Sequence, residues 1–249
     1  MKKLPPYEII GNIAIVEASK EEALLYANDF LSFPYIKSVF IKKGPVSGEL
    51  RTRDYEYVAG INNTETIHKE HGLKFLLDIN KVYFSPRLSE ERKRVALQVK
   101  DNEKIAVLFG GIAPYALVIW KYNKEKNLDI ICVEINKDAC YYAQKNVEIN
   151  KARNIKIICD DVKNIKNYKE YESWADRIIA PFPKDIISFF EEIKYIGKNN
   201  AIVHAYIFAS NEKEATEKLK DLGQHFFVKK CGSYSKEISR FVVDLILKK

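Results

Sequence analysis

Glycine is scarce in this chain, ten residues in 249. Glycine tolerates left-handed backbone and lets a ligand approach closely, so the adjacent pair Gly110 and Gly111 stands out. It follows the apolar run KIAVLF and precedes IAPYALVIW, a strand–turn–helix context in which enzymes seat nucleotide-like cofactors. The G-x-G-x-x-G spacing of dinucleotide turns is missing, however, and the strand has no acidic residue at its end. Cysteine is also sparse. Cys132, Cys140, Cys159 and Cys231 contain no C-x-x-C pair, which argues against a metal site and for buried thiols in a reducing interior. No apolar run approaches the roughly 18 residues of a membrane span, and the start MKKLPPYEII has no signal-length apolar core. These absences lead to the expectation of a soluble, cytoplasmic protein with no membrane partner.

What is present suits a globular fold: 47% hydrophobic and 12% aromatic residues can bury a substantial core. The net charge of +7, from 41 basic and 34 acidic residues, permits a polyanionic partner without requiring one. Over the first 80 residues, short β-like runs (EIIGNIAIVEA, YIKSVFIKK, DYEYVAG, TETIHKE) alternate with turn signals around one amphipathic helix at 20–31. We read 1–80 as a small α+β module. From residue 81 to 249 the rhythm becomes helix 89–99, strand 105–109, helix 114–126, strand 129–134, helix 136–150, strand 155–159, strand 177–180, helix 184–195, strand 201–208 and helix 212–222. Such alternation predicts βαβ units and a doubly wound, mostly parallel sheet. The last two strands, HFFVKK and SRFVVDLIL, are too close for a helix between them. A closing antiparallel hairpin on a Rossmann-like sheet is the mark of class I S-adenosylmethionine-dependent methyltransferases, and is unusual for a nicotinamide-binding domain.

Ligands of such sheets bind at the carboxyl ends of the strands. The strand after the glycine turn ends at Glu134, 23 positions beyond Gly111. That spacing suits a carboxylate accepting both ribose hydroxyls of an adenosine, although an acid preceding a helix also complements its dipole. The third strand ends at Cys159-Asp160-Asp161-Val162, where a carboxylate can take an adenine amino proton or be merely solvated. On residue types alone, Arg51 and Arg53 read equally as phosphate contacts or surface charge, and Glu91 as part of a solvated face, SEERKR.

The segments RTRDYEYVAGINNTETIHKEHG and LDINKVYFSPRLSEERKR strongly resemble the archaeal and eukaryotic tRNA methyltransferases that modify N1 of the guanine at position 37, beside the anticodon. The resemblance runs from about residue 49 to the end, and KVYFSPRL is its most specific part. It implies S-adenosylmethionine as cofactor and the anticodon arm of tRNA as partner, in an enzyme expected to act as a monomer. It assigns catalysis to Arg51 and Glu91: Glu91 as the base that removes the N1 proton, Arg51 as the group that stabilises charge developing on O6. Cofactor contacts are implied for Tyr83, Arg92, Phe109, Gly110, Gly111, Pro114, Glu134, Ile135, Asp161 and Val162.

Two departures stand out. Where the family has Asp-x-Phe-Ala-Gly-x-Gly-Pro, this chain has Val107, Leu108, Phe109, Gly110, Gly111, Ile112, Ala113 and Pro114, so the strand-end acid is lost. Where the family usually has Asn-Leu-Pro-Lys, the chain has Pro181-Phe182-Pro183-Lys184. A proline cannot read a base edge as an amide can, so the base pocket formed by Pro181, Pro183 and Lys184 is expected to select by shape. These changes, together with Glu134 in place of the Asp more usual there, resemble an archaeal branch that acts in wyosine synthesis and can methylate C7 of 4-demethylwyosine as well as N1 of guanine. Archaeal relatives commonly carry an additional amino-terminal domain that this sequence is expected to lack. Three rival functions remain: a 3-amino-3-carboxypropyl transferase of the same pathway, a tRNA-binding protein without catalysis, and a nicotinamide-dependent oxidoreductase, for which GGIAPY is the wrong fingerprint.

Overall fold

The computed structural model describes residues 4–48 and 52–249. A four-stranded sheet comes first, built from β1 (Tyr7–Ile10), β2 (Ile13–Val16), β3 (Ser38–Ser47) and β4 (Thr52–Gly60) in that spatial order. The expected single run EIIGNIAIVEA breaks into two antiparallel strands at Gly11, whose φ of +57° suits a tight turn. The helix expected at 20–31 likewise divides, at Tyr26, into α1 (Lys20–Leu25) and α2 (Ala27–Leu31). These two helices form the crossover between the parallel pair β2 and β3. Phe30, Val39 and Val16 are buried between them and the sheet.

A hairpin follows, β5 (Glu65–Glu70) with β6 (Leu73–Asp78). The second strand was not anticipated from the sequence. Its open edge is closed by two asparagines of α5 (Lys137–Ile149) and its C-cap, which take the place of a further strand. Asn146 Oδ1 accepts from Leu76 N–H at 2.7 Å, and Asn150 Oδ1 from Lys74 N–H at 2.9 Å. The hairpin thus sits on the larger sheet, and one apolar core runs from Ile13 and Phe40 through Phe75 and Leu77 to Val107 and Ile130.

The larger sheet has seven strands in the order β12-β13-β11-β10-β7-β8-β9. They are β7 (Lys104–Leu108), β8 (Asp129–Glu134), β9 (Ile155–Cys159), β10 (Ala175–Ala180), β11 (Gly197–Ala209), β12 (Gly223–Ser233) and β13 (Ser239–Leu247). β7 to β11 are parallel, and β13 runs antiparallel to both β11 and β12. This is the doubly wound sheet with a closing antiparallel hairpin that the sequence predicts. Its switch point lies at β7, flanked by β8 and β10, and the crevice for a ligand is there. The helices are α3 (Ser89–Ala96), α4 (Pro114–Tyr122), α5, α6 (Phe190–Ile196) and α7 (Glu212–Lys218). Several are shorter than expected; α6 begins six residues after Lys184 because a 3-10 turn (Ile186–Phe189) precedes it.

The expectation of thiols throughout fails at one place. Cys140 on α5 and Cys159 at the end of β9 form a disulfide, with Cα atoms 5.8 Å apart. The β8–α5–β9 unit brings the start of α5 beside the end of β9, a proximity that 19 residues of sequence separation conceal. Cys132 and Cys231 remain thiols.

Candidate functional site

The turn from β7 to α4 is left-handed three times over, with φ of +54° at Phe109, +55° at Gly111 and +64° at Ala113. Positive φ is costly for a side chain such as phenylalanine and tends to persist at functional positions. Gly111 presents its N–H to Glu134 Oε2 at 2.7 Å, while Glu134 Oε1 accepts from Asn136 N–H at 2.9 Å. The carboxylate therefore ties the glycine turn to the start of α5, yet each oxygen keeps lone-pair capacity for a further donor. Burial pushes the Glu134 carboxyl up, against the opposing backbone hydrogen bonds. Asn136 caps α5, accepting from Asp138 N–H at 3.0 Å and donating to the Lys81 carbonyl at 2.9 Å.

These groups open onto a cavity of about 410 Å³ lined by Tyr83, Phe109, Gly111, Glu134, Ile135, Asp161, Val162, Pro181 and Lys184, a size within the range of small-molecule sites. The structure thus brings together most of the residues that the resemblance assigns to the cofactor. Asp160 and Asp161 separate: Asp160 is held by Asn164 at 2.7 Å and Tyr168 at 2.9 Å, and it is Asp161 that faces the cavity. The wall opposite is aromatic. Phe182 stacks on Phe109 with centroids 4.6 Å apart, and Phe189 meets Phe109 edge-on at 4.8 Å. Neither Phe182 nor Phe189 was anticipated, although PFPK and the pair FF signal apolar surface beside a strand end. Val107 is wholly buried in the sheet, so the position of the missing acid belongs to the core.

A smaller cavity of about 60 Å³ adjoins, lined by Arg92, Gly110, Pro114, Tyr115, Pro183, Tyr206 and, shared with the first, Tyr83, Phe109 and Pro181. Arg92 is buried and clasps Glu70 through Nε at 2.7 Å and Nη2 at 2.5 Å. Behind the cavity Glu91 is buried in a chain of hydrogen bonds. Tyr115 donates to Tyr206 at 2.7 Å, Tyr206 to Glu91 at 2.8 Å, and Arg94 to both Glu91 at 2.8 Å and Asp244 at 2.6 Å. His204 Nδ1 lies 2.6 Å from Asp244 and its Nε2 is 2.8 Å from Arg177, which also pairs with Glu103 at 2.7 Å. Since Arg177 can only donate, Nε2 accepts and the proton sits on Nδ1, which makes His204 neutral. Burial, outweighing Asp244, accordingly lowers its pKa. Burial raises Asp244, but the hydrogen bonds from His204 and Arg94 win and hold it well below the usual carboxylate range. Tyr115 and Tyr206, not Glu91, are the members of this chain at the cavity wall.

A third cavity, about 720 Å³, lies between the first sheet, the SPRL segment and the β12–β13 hairpin. Tyr83 and Lys184 are common to it and the 410 Å³ cavity. Arg51 lies outside the described residues. Among the described residues there is no cluster of three or more side chains suited to a metal, and no helix is long and apolar enough to cross a membrane.

The comparisons with known proteins agree with this geometry. Residues 66–230 match the family described as the TRM5/TYW2 methyltransferase domain. The chain is 35% identical over 231 residues to the tRNA (guanine(37)-N(1))-methyltransferase Trm5b of Pyrococcus abyssi, covering 90% of this chain and 67% of that protein. It is 37% identical over 211 residues to the tRNA 4-demethylwyosine(37)-methyltransferase Taw21 of Saccharolobus solfataricus, covering 83% of this chain and 79% of that one. Among solved structures, aTrm5 in complex with tRNALeu superposes with a TM-score of 0.85 at 28% identity, covering 98% of this chain and 72% of that one. The chain belongs to the TRM5/TYW2 family of methyltransferases.

Proposed function

We propose that this protein is a tRNA methyltransferase that uses S-adenosylmethionine to modify the purine at position 37, at N1 of guanine and also at C7 of 4-demethylwyosine. The observation that carries this reading is the sharing of Tyr83 among all three cavities and of Pro181 between the two smaller ones, which joins a cofactor-sized site to a larger one fit for a nucleotide. The names of the two relatives correspond to the two activities.

The cofactor, when bound, would supply an electrophilic methyl group. Glu134 is suited to the ribose hydroxyls and Asp161 to the adenine amino group, with Phe109, Ile135, Val162, Phe182 and Phe189 as apolar walls. Gly110, Gly111 and Pro114 shape the turn toward the smaller cavity, and Arg92, held by its pair with Glu70, lines it. Guanine N1 must lose a proton for its attack to be productive. Glu91 is the base in this reading, and the Tyr206 hydroxyl, 2.8 Å from its carboxylate, hands the proton on. Arg51 is the group proposed to meet the developing charge on O6. Pro181, with Pro183 and Lys184 beside it, presents an apolar edge in place of an amide, which suits selection of the base by shape.

The test is mass spectrometry of nucleosides from tRNA treated with the protein and S-adenosylmethionine, offering guanine and 4-demethylwyosine at position 37. We expect methylated product from both; methylthioadenosine as the cofactor product would instead identify the aminocarboxypropyl transfer, and no product with either base would leave only RNA binding.

A further inference from the structure

Five cations and two carboxylates line the 720 Å³ cavity. The carboxylates, Glu8 and Glu17, are matched to two of the cations: Lys42 reaches Glu17 at 2.6 Å and Glu8 at 3.8 Å, and Arg87 reaches Glu8 at 3.4 Å and Glu17 at 3.6 Å. Arg53, Lys184 and Arg240 make no salt bridge within 4 Å among the described residues, Arg53 acting on Glu17 only at longer range, and with five cations against two carboxylates the cavity keeps an unbalanced positive charge.

Two of these three also carry an unmet hydrogen-bond donor. Among the described residues only three buried side-chain polar atoms lack a partner, and two of them are the Nε atoms of Arg53 and Arg240. Leaving a charged donor desolvated and unpaired is costly, and native structures rarely tolerate it without a ligand to complete the group. The two residues that carry these buried atoms line a single cavity, on β4 and β13, elements that approach it from opposite modules. Arg240 is also held in place: its Nη2 donates to the Tyr83 hydroxyl at 3.2 Å, its guanidinium lies 5.9 Å from the Phe208 ring, and it borders the smaller cavity as well. Arg240 thus stands beside the point where the methyl acceptor would meet the cofactor. Phe208 packs against Tyr234 with centroids 4.4 Å apart, an aromatic wall on the same cavity.

We propose that Arg53 and Arg240 form a two-sided clamp for a phosphodiester of the RNA, at one of the two linkages flanking the nucleotide being modified. A phosphate offers acceptors to guanidinium donors from both sides, and it is the anion that a nucleotide entering this cavity must bring with it. Lys184 supplies a further point charge at the border with the cofactor site. The inference rests on the RNA-substrate reading above and adds to it which charge of the RNA is bound and by which side chains.

The experiment is a binding cycle on the full chain. An RNA hairpin of the anticodon arm is prepared with the natural backbone and with an uncharged methylphosphonate at the linkage 5′ or 3′ of the target nucleotide, and its affinity is measured for the native protein, Arg53→Gln and Arg240→Gln. We expect the methylphosphonate at one linkage to weaken binding to the native protein about tenfold, and each substitution to do the same on the natural RNA. The combination should be no worse than either change alone, because both remove one contact. The salt dependence of binding should also become shallower by about one ion per arginine. Additive effects, or methylphosphonates without effect on the native protein, would overturn the clamp even if the hairpin binds well. Failure of the native protein to bind the natural hairpin at low salt would overturn the RNA reading and the clamp together. A titration with inorganic phosphate separates the sources: saturable binding lost in Arg240→Gln, with RNA binding indifferent to the methylphosphonates, would mark a free-anion site and refute the RNA assignment. Because the methylphosphonate arm uses native protein, a variant that fails to fold does not remove the test.

Discussion

Gly110 stands where the family pattern has alanine, and its environment shows why alanine would not fit here. A Cβ at Gly110 would overlap the Cys132 sulfur, with Cys132 Cβ and Val107 Cγ1 next at 3.7 Å. The backbone has little freedom to retreat, since Gly110 N–H donates to the Val133 carbonyl at 2.9 Å and its carbonyl accepts from Ala113 N–H at 3.0 Å. Gly110→Ala should then behave as an overpacking substitution that costs about 2 kcal/mol, within the usual range of roughly 1–3. For a domain of this size that lowers the thermal midpoint by about 4–8 °C. Cys132→Ala removes the obstructing sulfur and should by itself cost about 1 kcal/mol for the small void. The double variant places the new methyl in that void, so its stability should equal or exceed that of Gly110→Ala, with a coupling of at least about 1 kcal/mol. Denaturant unfolding of the four proteins measures this, and calorimetry with S-adenosylmethionine reads the turn: Gly110→Ala should weaken binding and the double variant should recover it. Strictly additive stabilities would refute the steric account of this glycine.

Glu134→Ala should weaken S-adenosylmethionine binding about tenfold or more, the scale of a charged hydrogen bond; unchanged affinity would remove Glu134 from the ribose. Glu91→Gln should lower turnover on guanine roughly 100-fold with cofactor affinity little changed, and Tyr206→Phe should lower kcat rather than raise KM; near-native turnover in both would remove the proton path. Pro181→Asn should shift the ratio of specificity constants toward guanine over 4-demethylwyosine by about tenfold, about 1.4 kcal/mol, and a competition assay showing the native ratio would show that Pro181 does not set base choice. For pH, His204 is lowered from 6.5 in the folded state, so the unfolded chain binds its proton first. Stability should fall as pH drops below about 6.5, by at most about 1.4 kcal/mol per pH unit from this group. Urea midpoints between pH 7.5 and 5.5 should accordingly decline more steeply in the native protein than in His204→Gln, and equal slopes would argue that His204 does not titrate there.

The alternation of apolar strands and amphipathic helices made the larger sheet readable, because βαβ units leave few topological choices. The spacing from Gly111 to Glu134 pointed to the floor of the cavity for a local reason: adjacent parallel strands bring these two positions together at their ends. Arg94 and Asp244, in contrast, are 150 residues apart, and nothing in SEERKR or VVDLIL suggests that they meet. The same holds for Arg53 and Arg240, whose shared cavity exists only once the first sheet and the final hairpin face each other. Strand β6 was missed since its edge is satisfied by asparagine side chains of a distant helix, a partner with no periodic signature.

Tyr83 borders every one of the three cavities, and a single side chain can hold only one position at a time. Any ligand that moves or fixes it changes the free energy of filling the neighbouring spaces, so occupancy on one side is thermodynamically linked to occupancy on the other. Such linkage is reciprocal: whatever factor S-adenosylmethionine imposes on RNA affinity, RNA must impose on S-adenosylmethionine affinity. Arg240, which donates to the Tyr83 hydroxyl, extends that linkage to the charged cavity, so that the proposed phosphate clamp and the proposed cofactor site would be two ends of the same lever.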